Sequence, residues 1–491
     1  MTERGDLCFW SARDQLRALR ERRISAEELM RATLERIGAV NPAVNAVVSL
    51  DPERALDAAR RADERLVRQG PDGPLHGLPV AHKDTHVTGG IRTTHGSPLH
   101  AHDIPDDDEL VVARMRTAGA VSFGKTNVPE FAAGSHSFNP LFGVTRNPYA
   151  LDKSAGGSSG GAGAALATGM HALADGSDMG GSLRNPASFC NVVGLRPSPG
   201  RVPTHPAVLP WSTLSVQGPM ARDIDDLALL LSVQAGPDDR VPIALSEPGQ
   251  TFAHPEPADP TRLRVAWTPD FGGLVPVDEA VLQVLRANVG TFADLGCAVT
   301  EISPDLSGAA ETFRTLRAWQ FQHNFADRIE AHPDQFKPSV VANAEAGRNL
   351  TGRQIAAAEA HHGALFARMH RFFADYDVLL APVSQTVPFD VELEYPMQIA
   401  GVDQPDYLEW MASAYIISIT GAPALSVPGG FTPEGLPVGL QIIGPHRADL
   451  RVLEVGRMFE AATRFADRRP DIAALAGAAP LTSRWDPAPH T

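Results

Sequence analysis

Two glycine- and serine-rich stretches, KSAGGSSGGAGAA through Ser158 and ADGSDMGGSLRNPA through Ser182, stand 24 positions apart in this chain of 491 residues. In each, paired glycines place consecutive backbone N–H groups beside a serine hydroxyl. Acyl transfer needs that combination: a nucleophile, and donors for the oxyanion that forms when it attacks a carbonyl. The two stretches predict a serine hydrolase.

A serine nucleophile needs a base, and the segment GPLHGLPVAHKDT supplies a candidate in Lys83. Lys83 follows a short apolar run, residues 78–81, that reads as a buried strand. A lysine at the end of such a strand is desolvated, which lowers its pKa toward the neutral, proton-accepting form.

Further motifs follow in order: GKTNVPEF from Gly124, NPLFGVTRNPY from Asn139, GPMARDIDDLALLL from Gly218 and PALSVPGGFTPEGLPVGLQIIGP from Pro423. With GSDMGGSLRNPASFCNVVGLRP from Gly176, they cover most of the chain, which resembles the amidase signature family. The resemblance implies Ser182 as nucleophile and Lys83 as base. It makes Ser158 a bridging serine after a cis peptide bond from Gly157. The backbone amides of Met179, Gly180, Gly181 and Ser182 become the oxyanion donors, and no metal or organic cofactor is implied. Lys83 would draw a proton from Ser158 while Ser158 draws one from Ser182. The same relay run backward would protonate the departing amine. Asp178 and Arg184 are expected to support the nucleophile loop as a rigid bidentate pair.

Each motif alone has an ordinary reading: GGSSGG as a flexible linker or phosphate-binding turn, Lys83 as a surface lysine, Asp178 and Arg184 as a plain ion pair. Three other enzyme readings compete. Residues 156–160 fit the G-x-S-x-G elbow of α/β-hydrolases, but NPYALDKSA before them reads as a polar loop where that motif needs a buried strand. His82, His86, His95, His100 and His102 cluster as metal ligands would, yet sit in what reads as a loop. The third reading is the amidotransferase component that works on charged tRNA with partner chains. A catalytically dead scaffold fits least, because all three catalytic positions are intact.

The chain departs from the common family pattern in places. Ser177 stands where threonine is usual, Asn191 where glycine is usual, and histidines at 82 and 86 flank Lys83. A cationic imidazole beside Lys83 would depress its pKa further.

Composition sets the wider class. Net charge is −15, with 43 basic against 58 acidic residues spread along the chain, so no basic stripe suits nucleic acid or an anionic membrane. The polar start MTERGDLCFWSARDQ shows no signal-peptide apolar segment. Three scattered cysteines, Cys8, Cys190 and Cys297, suit a reducing cytoplasm. The expected partner is a small-molecule amide, ester or carbamate, with a homodimer left open.

The capping box from Ser25 to Glu28, the run 108–117 and the stretch 353–375 predict helices. Apolar runs at 120–123, 263–267, 298–302, 378–381, 424–427 and 438–443 predict strands, mostly buried on both faces. The expected fold class is α/β, an α/β/α sandwich with a large twisted mixed central sheet. It is expected as one domain over 1–491, with a helical segment to about 70, a signature core from about 71 to 235 and a remainder from about 261 to 480. Residues 237–260, rich in proline and acid, predict a surface excursion. The uncharged stretch 410–431 carries prolines and glycines and predicts buried core, not a membrane span.

For the substrate, the resemblance points to the loop Phe131-Ala132-Ala133-Gly134-Ser135, with Ala132, Gly134 and Ser135 as binding positions, and to segments 313–325 and 395–415. Trp319, Phe321, Tyr395, Tyr407 and Trp410 in these segments predict an apolar or aromatic substrate. The same aromatics would equally serve as core.

Overall fold

The computed structural model describes residues 6–487, so the first five residues of the polar N-terminal segment lie outside the described residues. Short apolar runs become strands here because side chains on both of their faces find cover. Three of them, β1 (Val47–Leu50), β2 (Pro79–Lys83) and β3 (Val121–Thr126), form a small sheet in the order β1-β3-β2, with β2 and β3 parallel.

Eight more make the central sheet: β4 (Leu173–Asp178), β5 (Val193–Arg196), β6 (Val216–Ala221), β7 (Arg264–Trp267), β8 (Ala298–Glu301), β9 (Val378–Pro382), β10 (Ala424–Phe431) and β11 (Pro437–Ile443). Their order is β8-β7-β9-β11-β10-β5-β6-β4. β7 runs parallel to β8 and β9, and every other pairing is antiparallel, so the sheet is mixed as expected.

The two-residue period of a strand sends alternate side chains to opposite faces, and both faces are covered. Leu425 of β10 faces the helix Asp449–Thr463, where a Cβ added at Gly456 would stand 2.5 Å from Leu425 Cδ2. Its neighbour Ser426 pairs across the ladder with Gln441, which faces the helix Arg184–Phe189 and accepts a 2.6 Å hydrogen bond from Arg184 Nη1. Helices on both faces make the α/β/α sandwich.

The capping box at Ser25 forms and opens the helix Ala26–Val44. The helices Leu110–Thr117 and Gly352–Asp375 lie close to their predicted bounds. Three local expectations fail. β8, at one edge of the sheet, is mostly exposed, unlike β4 at the other edge. The segment NPYALDKSA is not all loop: Ala150–Ser154 is a strand, paired antiparallel with Arg146–Asn147 in a small hairpin. β10 does not end at Val427 but passes Pro428 through a bulge to Phe431.

Residues 237–260 hold the short 3₁₀ helix Gly249–Phe252, reach a second, Pro260–Arg262, at their end, and are anchored by the buried Val241, Leu245 and Phe252. Residues 410–431 form a buried helix and β10, and no helix among the described residues is long and apolar enough to cross a membrane.

Candidate active site

Lys83 ends β2, a strand buried at all five positions. Its Nζ is sealed from solvent and surrounded by hydroxyls: Ser158 Oγ at 2.7 Å, Ser159 Oγ at 2.9 Å and Ser177 Oγ at 3.0 Å. Burial is the largest influence on this amine and brings its pKa down to about 7, against the opposing pull of Asp178, Asp175 and Glu109. A neutral amine offers two N–H bonds and one lone pair. With three hydroxyls around it, one O–H can then point at the nitrogen, and Ser158 is the nearest.

The peptide bond between Gly157 and Ser158 is cis. The loop around it is tied by Ser135, whose hydroxyl donates to the Gly157 carbonyl at 2.7 Å and accepts from Asn185 Nδ2 at 3.0 Å. Ser135 is thereby buried behind the loop and is not among the residues that line the cavity. Ala132 and Gly134 do line the cavity, and Phe131 and Ala132 both have positive φ, which turns the chain around it.

Ser182 stands on the turn that leads from β4 into the helix Arg184–Phe189 and opens on that cavity, of about 170 Å³, together with Ser158 and Ser177. Its Oγ has no hydrogen-bond partner among the described residues, so the relay's link from Ser158 to Ser182 is not closed here. Of the four expected oxyanion donors, the Gly181 N–H is already committed to Asp178 Oδ1 at 2.9 Å. The N–H groups of Met179, Gly180 and Ser182 have no acceptor among the described residues. Gly181 has φ +115°, and a Cβ there would stand 2.7 Å from Ala414 Cβ, so only glycine fits this turn.

Asp178 holds the turn from below. It meets Arg184 in a bidentate pair, Nε to Oδ2 at 3.0 Å and Nη2 to Oδ1 at 2.9 Å, with every participant buried. A second buried arginine, Arg196, donates to the Asp178 carbonyl and lies 3.3 Å from Oδ1. Burial pushes the Asp178 carboxyl up, but Arg184 and Arg196 overcome it and hold the group well below the usual carboxylate range. Sequence reasoning missed Arg196, since nothing in GLRP marks an ion-pair partner.

It also missed Asp175. This buried carboxylate accepts from the Lys83 backbone N–H at 2.8 Å, from His86 Nδ1 at 3.0 Å and from His82 Nδ1. His82 and His86 therefore do not act on the Lys83 amine as flanking cations, because both turn to Asp175. Burial keeps the His82 imidazole below its ordinary pKa. His95 and His100 pack instead around Phe131. Among the described residues no group of three or more His, Cys, Asp or Glu is placed to hold a metal ion.

The predicted aromatics divide. Phe321 and Tyr407 line the cavity with Phe131, Phe313, Phe325, Met179 and Met411. Trp410 is core, packed on Phe189 and Phe389, while Trp319 and Tyr395 are not part of the wall. A larger cavity of about 330 Å³ adjoins the first and shares Ser177, Met179, Ser215 and Asn324 with it.

A buried lysine among serine hydroxyls thus lies beside a mixed eight-stranded sheet. A protein-family model described as Amidase matches residues 28–453, and the chain belongs to that family. It is 35% identical over 482 residues to an acylamidase of Rhodococcus erythropolis, covering 96% of this chain and 98% of that one. It is 32% identical over 482 residues to a glutamyl-tRNA(Gln) amidotransferase chain of a Marinomonas strain, covering 93% and 97%. Among solved structures, a bacterial aryl acylamidase of the amidase signature family superposes with a TM-score of 0.88 at 27% identity, covering 96% and 99%.

Proposed function

We propose that the chain is an amidase acting on carboxylic amides with an apolar or aromatic body. Ser182 attacks the carbonyl, Ser158 carries the proton and Lys83 receives it. The amides of Met179, Gly180 and Ser182 take the oxyanion, and water then hydrolyses the acyl-enzyme with no cofactor. The observation that carries this reading is the sealed contact of Lys83 Nζ with Ser158 Oγ at the floor of the cavity that Ser182 faces. The aromatic walls and the two aryl-acting or acyl-acting relatives support the substrate class.

Esters fall within reach of the same site. Carbamates do as well, with more demand on the oxyanion donors, since nitrogen and oxygen both donate into their carbonyl. Three buried free cysteines fit a cytoplasmic location.

The test is kcat/KM of the purified chain alone on a 4-nitroanilide, a 4-nitrophenyl ester and an N-aryl carbamate of matched acyl size, beside glutamine. Hydrolysis of the anilide and ester supports the proposal. The similarity to amidotransferase chains favours a second reading. Activity confined to glutamine, and rising only with partner chains, would replace the first reading by that one.

A further inference from the structure

Arg317 lies in the wall of the cavity that holds Ser182 and is only 5% exposed. No carboxylate of the described residues pairs with it. Nearby Asp406 and Glu409 both close on Arg314, at 2.8, 3.1 and 2.6 Å, and Lys337 pairs with Glu394 at 3.3 Å. The guanidinium is stacked over Phe321, 3.9 Å from the ring centroid, which fixes its plane. Nη2 donates to Tyr407 Oη at 2.5 Å and Nη1 donates to Asn343 Oδ1. The other N–H bonds of its five-donor fork have no acceptor among the described residues.

Its immediate neighbours offer no carboxylate. Asn343 spends its carbonyl oxygen on Arg317 and its amide on the Ser339 carbonyl and on Tyr407 Oη, the latter at 2.7 Å. Tyr407 Oη therefore accepts from both Arg317 and Asn343, and what it has left is its own proton. A buried guanidinium with spare N–H donors, no carboxylate partner and a phenol proton beside it is complementary to an anion of planar, two-oxygen geometry.

We infer that Arg317 and Tyr407 form a carboxylate-binding end of the substrate cavity, so that the preferred amides carry a carboxylate on the acyl part, remote from the scissile carbonyl. The inference rests on the reading above that the cavity Ser182 faces takes the amide substrate. It narrows the substrate class to monoamides of dicarboxylic acids and acyl chains of like charge.

The experiment compares succinyl, glutaryl and adipoyl 4-nitroanilides with their ω-methyl esters, so that reach and charge are varied separately. Wild-type kcat/KM is expected to favour the carboxylate by about tenfold or more at the best chain length, as a charge-assisted bidentate contact gives. The preference should shrink in Arg317→Lys, which keeps the charge but not the fork, and vanish in Arg317→Met, each variant checked by its melting temperature. Binding is read separately by calorimetric titration of the Ser182→Ala chain, where the carboxylate should bind about tenfold tighter than the ester and lose that advantage in Ser182→Ala/Arg317→Met. Equal binding of acid and ester at every length overturns the inference. Absence of all anilide cleavage with the binding preference intact would overturn the amidase reading instead and leave the carboxylate site standing.

Discussion

The Nζ of Lys83 and the Oγ of Ser158 meet at 2.7 Å in a place closed to solvent, 75 positions apart in the chain. Only the neutral amine can take the relay's proton, so the rate of acylation should rise about tenfold per pH unit below about pH 7 and level off above it, following Lys83. Lys83→Ala should lower acylation by roughly 10²–10⁴-fold. Single-turnover kinetics on a nitroanilide across pH 5 to 9 reads both, and a flat profile would exclude Lys83 as the base.

Ser182→Ala should abolish the acyl-enzyme and nearly all turnover while leaving the melting temperature close to wild type, because the hydroxyl makes no bond within the fold. A fluorophosphonate should label Ser182. Peptide mapping that finds the label on Ser158 or Ser159 would reassign the nucleophile.

The buried amine also makes stability depend on pH. Its folded pKa of about 7 lies below its ordinary value of 10.5, so between these the unfolded chain binds the extra proton. Folding stability from this group thus grows with rising pH by about 1.4 kcal/mol per unit across that window, and is lost as pH falls to about 7. Lys83→Met, which cannot titrate, should lack this slope. Denaturant melts of both chains at pH 7, 8 and 9 check it, and parallel curves would contradict the depressed pKa.

Asp178→Asn should leave Arg184 and Arg196 buried without their counter-charge and should loosen the Gly181 amide. Loss of a buried partner costs about 3–5 kcal/mol, read as a lower urea midpoint at unchanged slope. An unshifted midpoint would mean that the pair is not structural.

Gly181→Ala places a methyl group 2.7 Å from Ala414 Cβ at a φ of +115°. The turn must shift, and with it the free amides of Met179, Gly180 and Ser182. Displacing one oxyanion donor costs about 10²–10³ in kcat, so kcat should fall far more than KM rises. Steady-state kinetics with full activity retained would remove these amides from the oxyanion site.

Much of the fold could be read from local runs. Apolar segments such as 378–381 and 438–443 became central strands, and the capping box at Ser25 opened a helix, because short-range periodicity and hydrogen bonding decide both. The exposure of the strand Ala298–Glu301 could not be read in this way, since its sequence does not say what covers its faces.

The sequence alone determined which residues could form the site: Lys83 at a strand end, serines set between glycines, and Asp178 within six positions of Arg184. These are local patterns, and a short stretch of chain carries them whole. The tertiary structure decided what those residues face. It brought Asp175 under the backbone of Lys83 and drew His82 and His86 to that carboxylate. It set Arg196 beside Asp178 and turned Ser135 inward. It also assembled Arg317, Asn343 and Tyr407 from separate elements into one donor-rich wall. Such contacts join positions up to 93 residues apart in the case of His82 and Asp175. Their geometry follows from how the small sheet, the central sheet and the covering helices pack, a relation that no local periodicity encodes.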